Sequence, residues 1–223
     1  MTRRRAAGES YPALADTDTR EEIAPMPILA LRRTAALVAI LAALPAALPA
    51  QTRVVLDTDA GAITVVLFEK EAPVSAANFL RYVTEGRYDN GAFYRTVTLA
   101  NQPSNAVKIE VIQGGLDRDG AKRLPPIAHE TTDKTGITHT DGTLSMARAG
   151  VGSAAGEFFI VIGHQPELDF GGKRNADGQG FAAFGRVVQG MDVVQRIQRM
   201  PADSAPPQRL NTVVRIRTAR VVR

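Results

Sequence analysis

The 223-residue sequence contains no cysteine. This absence excludes disulfide bonds, thiolate metal sites and a cysteine nucleophile, and it leaves the redox state of the compartment undetermined. Histidine is scarce too: His129, His139 and His164 lie ten or more residues apart and never form the short His-x-x-x-His spacing of a helical metal site. We therefore expect no metal site.

An excess of charge of one sign is also missing. The 27 lysines and arginines are balanced by 23 acidic residues, and the net charge of +4 is spread along the chain without a polybasic block. A surface of mixed charge explains this pattern better than a nucleic-acid partner, so we expect no nucleic-acid binding. With 44% hydrophobic residues, the chain is long enough for one sizeable core and too short for two full domains.

The N-terminal part of the chain has the layout of a targeting segment. Residues 26–50 contain two arginines, then an apolar, alanine-rich stretch and then a cleavage region of small residues. This layout predicts a signal peptide cleaved after Ala50. The mature protein would then be periplasmic or secreted. An uncleaved membrane anchor is the alternative, because residues 34–52 carry no charge, although two prolines interrupt them. Residues 1–25 precede a second possible start at Met26, and we expect them to be disordered or untranslated.

Residues 51–223 form the predicted globular domain. Short apolar alternations recur through it, and two of them flank Asp59-Ala60-Gly61, which is typical of a hairpin. Apolar residues at helical spacing predict one helix that Pro73 opens and a second that follows Gly190. The alternation predicts eight strands, at 53–57, 62–67, 93–97, 108–113, 143–146, 157–162, 181–188 and 213–222. Many short strands with two helices favour a closed barrel with helical caps.

Four motifs follow one another along this domain: Tyr-Asp-Asn-Gly-Ala-Phe-Tyr-Arg at 88–95, Gln-Gly-Gly at 113–115, the run from Leu-Ser-Met-Ala to Phe-Phe-Ile at 144–160, and Phe-Gly-Arg-Val at 184–187. Together they resemble the cyclophilin family of peptidyl-prolyl isomerases, over about residues 54–222. The resemblance implies a mainly β fold, a closed eight-stranded antiparallel barrel capped by two α-helices. It also implies an isomerase of X-Pro bonds that needs no cofactor and binds Pro-containing unfolded or loop segments in an outer groove. We expect a monomer.

The resemblance assigns the chemistry to two residues. Rotation about an X-Pro bond breaks nothing and has only to overcome an amide barrier of about 18 to 20 kcal/mol. In the twisted state the prolyl nitrogen becomes a better hydrogen-bond acceptor, which a fixed guanidinium can stabilise. Arg95 matches the catalytic arginine of the family, and Gln113 matches the glutamine that holds it.

The resemblance also outlines the substrate groove. Val111, Phe159 and Leu168 match apolar pocket positions, whereas Phe158 is on the opposite face of its strand and is assigned to the core. Ala147 and Ala149 match small positions, where we expect backbone-to-backbone hydrogen bonds with the substrate. Some residues differ from the usual pattern: Arg148 replaces asparagine, Glu157 glutamine, Phe181 histidine, Glu110 phenylalanine, Glu167 tryptophan and Tyr94 histidine.

Glu157 is expected to face the groove, because strand alternation places it on the same face as Phe159. A carboxylate there could reach Arg95, orient it and compete with the substrate for its donors. We hypothesise that Glu157→Gln preserves or raises activity.

Two other functional classes remain to be weighed. A non-catalytic module that binds Pro-containing segments, as a chaperone or assembly factor, is the alternative that the substituted groove positions favour. A hydrolase has no support, since no Ser-His-Asp or paired-carboxylate arrangement is evident in these motifs.

Overall fold

The structure is a computed structural model that describes residues 51–117, 119–203 and 208–222. The predicted leader and signal peptide lie outside these ranges. The strands are β1 (Arg53–Thr58), β2 (Gly61–Leu67), β3 (Gly91–Val97), β4 (Val111–Gly115), β5 (Thr143–Met146), β6 (Phe158–Val161), β7 (Ala182–Gln189) and β8 (Arg209–Val222). The helices are α1 (Pro73–Thr84), α2 (Thr132–Thr135) and α3 (Met191–Gln198), with 3₁₀ turns at Gly120–Lys122 and Pro166–Leu168.

The eight strands close into an antiparallel barrel in the order β1-β2-β7-β5-β6-β4-β3-β8. The predicted barrel is confirmed, and closure pairs each of these eight strands on both sides. Both predicted helices are present, and the single turn α2 is an addition that the apolar spacing did not indicate. Within the described ranges, no helix is long and apolar enough to span a membrane.

Aromatic side chains fill the barrel beneath α1. Phe158 from β6 lies at the centre, with its ring centroid 5.2 Å from Phe79 of α1, 5.4 Å from Tyr88 and 5.7 Å from Phe93 of β3. The three contacts are edge-on, a favoured geometry for aromatic pairs, and all four side chains are fully buried. The assignment of Phe158 to the core is confirmed.

The two largest differences between the predicted and the observed strand boundaries are at the starts of β4 and β8. β4 begins at Val111 rather than at residue 108, because the Gln102 side chain takes the place of a neighbouring strand for Ile109. Gln102 Nε2 donates to Ile109 O at 2.7 Å, and Ile109 N donates to Gln102 Oε1 at 3.3 Å. β8 begins at Arg209 rather than at residue 213, because the extra residues pair with Arg95 of β3 and with Ala202.

Candidate active site

The groove lies on the outer face of the barrel, where β3, β4 and β6 run side by side. Strand register sets Arg95 opposite Gln113, and Gln113 opposite Phe159. Side chains that share a row across a sheet project from the same face, so these three meet on the outside. The register thus brings together three residues that lie up to 64 positions apart in the sequence.

A bulge in β3 explains why two consecutive side chains face the groove. Phe93 pairs with Gly114 and Arg95 with Gln113, so that Tyr94 has no partner of its own on β4. Strict alternation would turn Arg95 inward beside the buried Phe93. The extra residue shifts the alternation by one, and both Tyr94 and Arg95 point outward.

Two amide side chains hold the Arg95 guanidinium. Its Nη1 donates to Gln113 Oε1 at 2.8 Å, and its Nη2 and Nε donate to Gln208 Oε1 at 2.7 and 3.2 Å. Gln208 is fully buried, and its Nε2 donates to Asn101 O at 3.1 Å. Sequence reasoning missed Gln208, because it lies 113 residues beyond Arg95 in an irregular segment with no periodic pattern.

A hydrogen-bonded chain continues from Gln113 to an acid. Gln113 Nε2 donates to the Tyr94 hydroxyl, which donates to Glu157 Oε2, both at 2.8 Å. Gly115 makes room for this carboxylate, since a Cβ there would lie 2.5 Å from Glu157 Oε2. Glu157 therefore faces the groove as predicted, and these bonds connect it to Arg95 through Tyr94 and Gln113.

Burial is the main cause of the pKa shifts among these hydrogen-bonded side chains. It lowers the pKa of the Arg95 guanidinium from its ordinary value, and the positive charge of Arg174 lowers that pKa further. It raises the pKa of the Glu157 carboxyl, although the hydrogen bond from Tyr94 and the charge of Arg123 act in the opposite direction. Burial also raises the pKa of the Tyr94 hydroxyl, which keeps this group protonated and able to donate.

An apolar recess lies beside the guanidinium. Val111, Phe159 and Leu168 line it as predicted, and Ile109 joins them. The whole groove encloses about 510 Å³. Ile109 lies two residues before Val111, so strand alternation could have indicated that it faces the same side. Glu110 points elsewhere and accepts a hydrogen bond from Gln198 Nε2 at 3.0 Å, so it does not occupy the recess.

The other wall of the groove contains Ala147, Ala149 and Phe181. Ala147 N donates to Glu157 O at 2.9 Å, and Ala149 N donates to Ser153 Oγ at 3.0 Å. A bound segment would therefore meet carbonyl oxygens there rather than these two N–H groups, which restricts the predicted backbone-to-backbone bonds.

Arg148 also lines the groove, but its side chain is buried and paired within the protein. It is 1% exposed, donates to both carboxylate oxygens of Asp177 at 2.7 and 2.9 Å, and donates to Gly180 O. Its guanidinium carbon lies 5.3 Å from the centroid of Phe181. Arg148 thus braces Phe181, whose ring meets Phe159 edge-on at 5.2 Å.

The sequence of this domain matches a known protein family. The family model for cyclophilin type peptidyl-prolyl cis-trans isomerases matches residues 53–221. The chain belongs to this family. It is accordingly an enzyme, an isomerase of X-Pro peptide bonds.

Curated relatives agree with that assignment, and solved structures agree with the fold. The chain is 35% identical over 159 residues to peptidyl-prolyl cis-trans isomerase A of Dickeya dadantii, covering 70% of this chain and 76% of the relative. It is 36% identical over 149 residues to peptidyl-prolyl cis-trans isomerase B of Escherichia coli, covering 65% and 83%. The fold resembles a cyclophilin type isomerase of Cryptosporidium parvum, with a TM-score of 0.60 and 20% identity over 78% of this chain and 99% of that one. A second structure of that protein, in the presence of the dipeptide Ala-Pro, has a TM-score of 0.60, with 21% identity over 77% of this chain and 99% of that one.

One feature of this cyclophilin resembles a hydrolase triad. His139 Nδ1 lies 2.6 Å from Asp169 Oδ1, and its Nε2 lies 2.9 Å from Ser145 Oγ. His139 and Ser145 are fully buried, however, so a substrate does not reach the hydroxyl. The imidazole stacks on Phe159, with centroids 5.9 Å apart and planes at 16°, and the arrangement supports the recess from behind.

Proposed function

We propose that Arg95 accelerates X-Pro rotation in this chain by stabilising the twisted amide. As the bond rotates, the prolyl nitrogen loses conjugation and accepts a hydrogen bond that the planar ground state accepts poorly. A cation held at that point binds the transition state more tightly than the substrate, which lowers the barrier. The proline ring occupies the recess of Ile109, Val111, Phe159 and Leu168, while Gln113 and Gln208 keep the guanidinium oriented.

The observation that carries this proposal is the double amide clamp beside an apolar recess. An arginine side chain loses considerable rotamer freedom when it is fixed. The two amide side chains fix Arg95 before a substrate binds. Catalysis benefits from such preorganisation, whereas a surface arginine would need to be ordered at each encounter.

The proposal also covers partners and setting. The groove opens on the outer surface of the barrel, which suits extended Pro-containing segments of unfolded chains or loops. We infer that the protein acts on them as a monomer, without a nucleic-acid partner, in the periplasm or outside the cell. The signal-like pattern of residues 26–50 supports export. The N-terminal residue of the protein isolated from cells tests this: Gln51 is expected, and a retained residue 1 or 26 would contradict cleavage.

Arg95→Ala tests the catalytic role. We expect kcat/KM for a short X-Pro peptide to fall by about a hundred- to a thousandfold, as when one preorganised donor is removed from other active sites. Peptide affinity should change little, because the guanidinium acts mainly in the transition state. Rates would be followed by exchange between the cis and trans peptide signals in NMR spectra of full-length protein.

Arg53→Ala is the matched control. Arg53 is an exposed arginine of β1 outside the groove, so this variant removes the same charge and should keep the wild-type rate. Equal rates for wild type and Arg95→Ala would contradict the catalytic assignment. Peptide binding by a wild type that gives only the uncatalysed rate would favour the non-catalytic binding module.

A further inference from the structure

Arg174 is another fixed cation among the residues that line the groove. Its Nη1 donates to Gln102 Oε1 at 3.0 Å and to Val107 O at 2.6 Å. Gln102 is fully buried and is itself bound to the backbone of Thr98 and Ile109. The guanidinium is therefore attached to a rigid support, at the edge of the recess that Ile109 lines.

No carboxylate of the described ranges forms an ion pair with Arg174. Glu157 is the acid among the groove-lining residues, and its contacts are with Tyr94 and Arg123. Burial lowers the pKa of the Arg174 guanidinium, which means that its charge is partly removed from water. A desolvated cation without a counter-ion is unfavourable until an anion arrives.

The neighbouring residue offers another donor without an acceptor. Asn175 lines the same groove, and its Nδ2 is covered but makes no hydrogen bond to any residue of the described ranges. Buried amide donors are nearly always satisfied in folded proteins. An unpaired charge and an unpaired donor side by side both favour the same kind of ligand, a group with several acceptor oxygens.

Gln102 and Glu167 together hold Arg174 at this position. Gln102 lies in the long connection between β3 and β4, and Glu167 stands at the position of the usual tryptophan. Glu167 Oε2 accepts from Lys173 N at 2.7 Å, and Glu167 O accepts from Arg174 N at 3.1 Å. Gln102 therefore fixes the Arg174 side chain, and Glu167 fixes its backbone.

We propose that Arg174 and Asn175 form a subsite for a carboxylate, so that the enzyme prefers client segments with Asp or Glu flanking the proline. The inference rests on the proposed function of the groove and names the substrates that it favours. The ionised carboxylate accepts from the guanidinium while the proline occupies the recess, and Asn175 Nδ2, which is covered in the unbound groove, donates to it after its amide turns toward the ligand. Each is a charge-assisted hydrogen bond in a partly desolvated site.

Peptides that differ in one residue test the subsite. Glu, Gln or Lys is placed immediately before the X-Pro pair in one series and immediately after it in another. With full-length protein, we expect one series to show kcat/KM about three- to tenfold higher for Glu than for Gln, and lower for Lys than for Gln, a ratio suited to a half-exposed ion pair. The preference should weaken as NaCl concentration rises.

Variants assign the preference to Arg174. In Arg174→Gln the Glu-to-Gln ratio should fall to about one, and Arg174→Glu should favour the Lys peptide. Arg53→Gln removes one exposed charge of β1 outside the groove, and the ratio should stay at the wild-type value. Circular dichroism and thermal melting would check that each variant is folded.

Three results would overturn the inference: equal kcat/KM for the Glu and Gln peptides in both series, a preference that persists in Arg174→Gln, or its loss in Arg53→Gln. The first comparison uses wild-type protein alone and does not depend on a variant that folds. Turnover of the Gln peptide tests isomerisation separately. If turnover were absent, the ratio of the Glu and Gln peptide affinities, measured by NMR titration, would still decide whether the carboxylate subsite exists.

Discussion

Two adjacent phenylalanines of β6 belong to different regions of the molecule, one to the inner core and the other to the outer groove. Phe158 points inward to the aromatic cluster under α1, and Phe159 points outward to the recess beside Arg95. Inside, the Phe158 ring packs against aromatic side chains of the apolar core, and this packing stabilises the fold. Outside, the ring is flanked by Phe181 and His139, and arginines line the same groove. A four-residue strand can therefore contribute to both stability and catalysis, because alternate side chains belong to different environments.

Removal of the inner ring should have the larger effect on folding. Phe158→Ala is expected to lower the free energy of unfolding by about 3 to 5 kcal/mol, because it leaves a cavity among rings that cannot close around it. Urea denaturation followed by circular dichroism would measure the loss. Phe170→Ala is the control, since that side chain is 44% exposed and should cost little. Equal losses for the two variants would mean that Phe158 does not anchor the core.

Removal of the outer ring should affect catalysis more than folding. For Phe159→Ala we expect kcat/KM on an X-Pro peptide to drop by about ten- to a hundredfold, chiefly through KM, because the proline ring loses an apolar wall. The unfolding free energy should fall by less than in Phe158→Ala, since the recess already opens to solvent. Peptide turnover and urea denaturation on the same samples would separate the two effects. A variant that loses stability but keeps KM would place Phe159 with the inner core instead.

Glu157→Gln should have the smallest effect of these substitutions on stability, and that effect should depend on pH. Burial raises the pKa of the folded-state Glu157 carboxyl above its ordinary value of 4.5, so the folded protein holds this proton more tightly than the unfolded chain. Glu157 therefore disfavours folding increasingly as pH rises from about 4.5 toward its raised pKa. Glu157→Gln lacks this unfavourable contribution to folding. It should therefore be more stable than wild type between about pH 4.5 and the raised pKa, with little difference at lower pH. X-Pro peptide turnover should be preserved or raised.

Glu71→Gln provides the comparison for that pH series. Glu71 is an exposed carboxyl with no side-chain hydrogen bond or ion pair to a residue of the described ranges, so Glu71→Gln makes the same change without altering a buried contact. Urea unfolding at several pH values would compare both variants with wild type. A Glu157→Gln difference that is flat or grows toward acid pH would contradict the direction of the shift.

Much of the groove could be predicted from the sequence, because its residues lie on regular strands. Gln113, Val111 and Phe159 are at positions where alternation and the family motifs agree, whereas Arg95 was assigned by its motif alone, and the structure brings all four together. Arg148 was assigned to the groove and is among the residues that line it, but its side chain is buried, because Asp177, 29 residues away, binds both of its terminal nitrogens. A strand pattern contains no information about a loop partner of that kind.

The sequence by itself determined the barrel, the strand that carries the catalytic candidate and the inward or outward direction of most strand residues. These features follow from local alternation and from motifs in a set order, which are readable without coordinates. Only the tertiary structure decided that a bulge turns Arg95 outward, that Gln208 completes its clamp and that Gln102 fixes Arg174 at the edge of the recess. Each depends on contacts between side chains on irregular segments, where the chain has no period and position is set by packing.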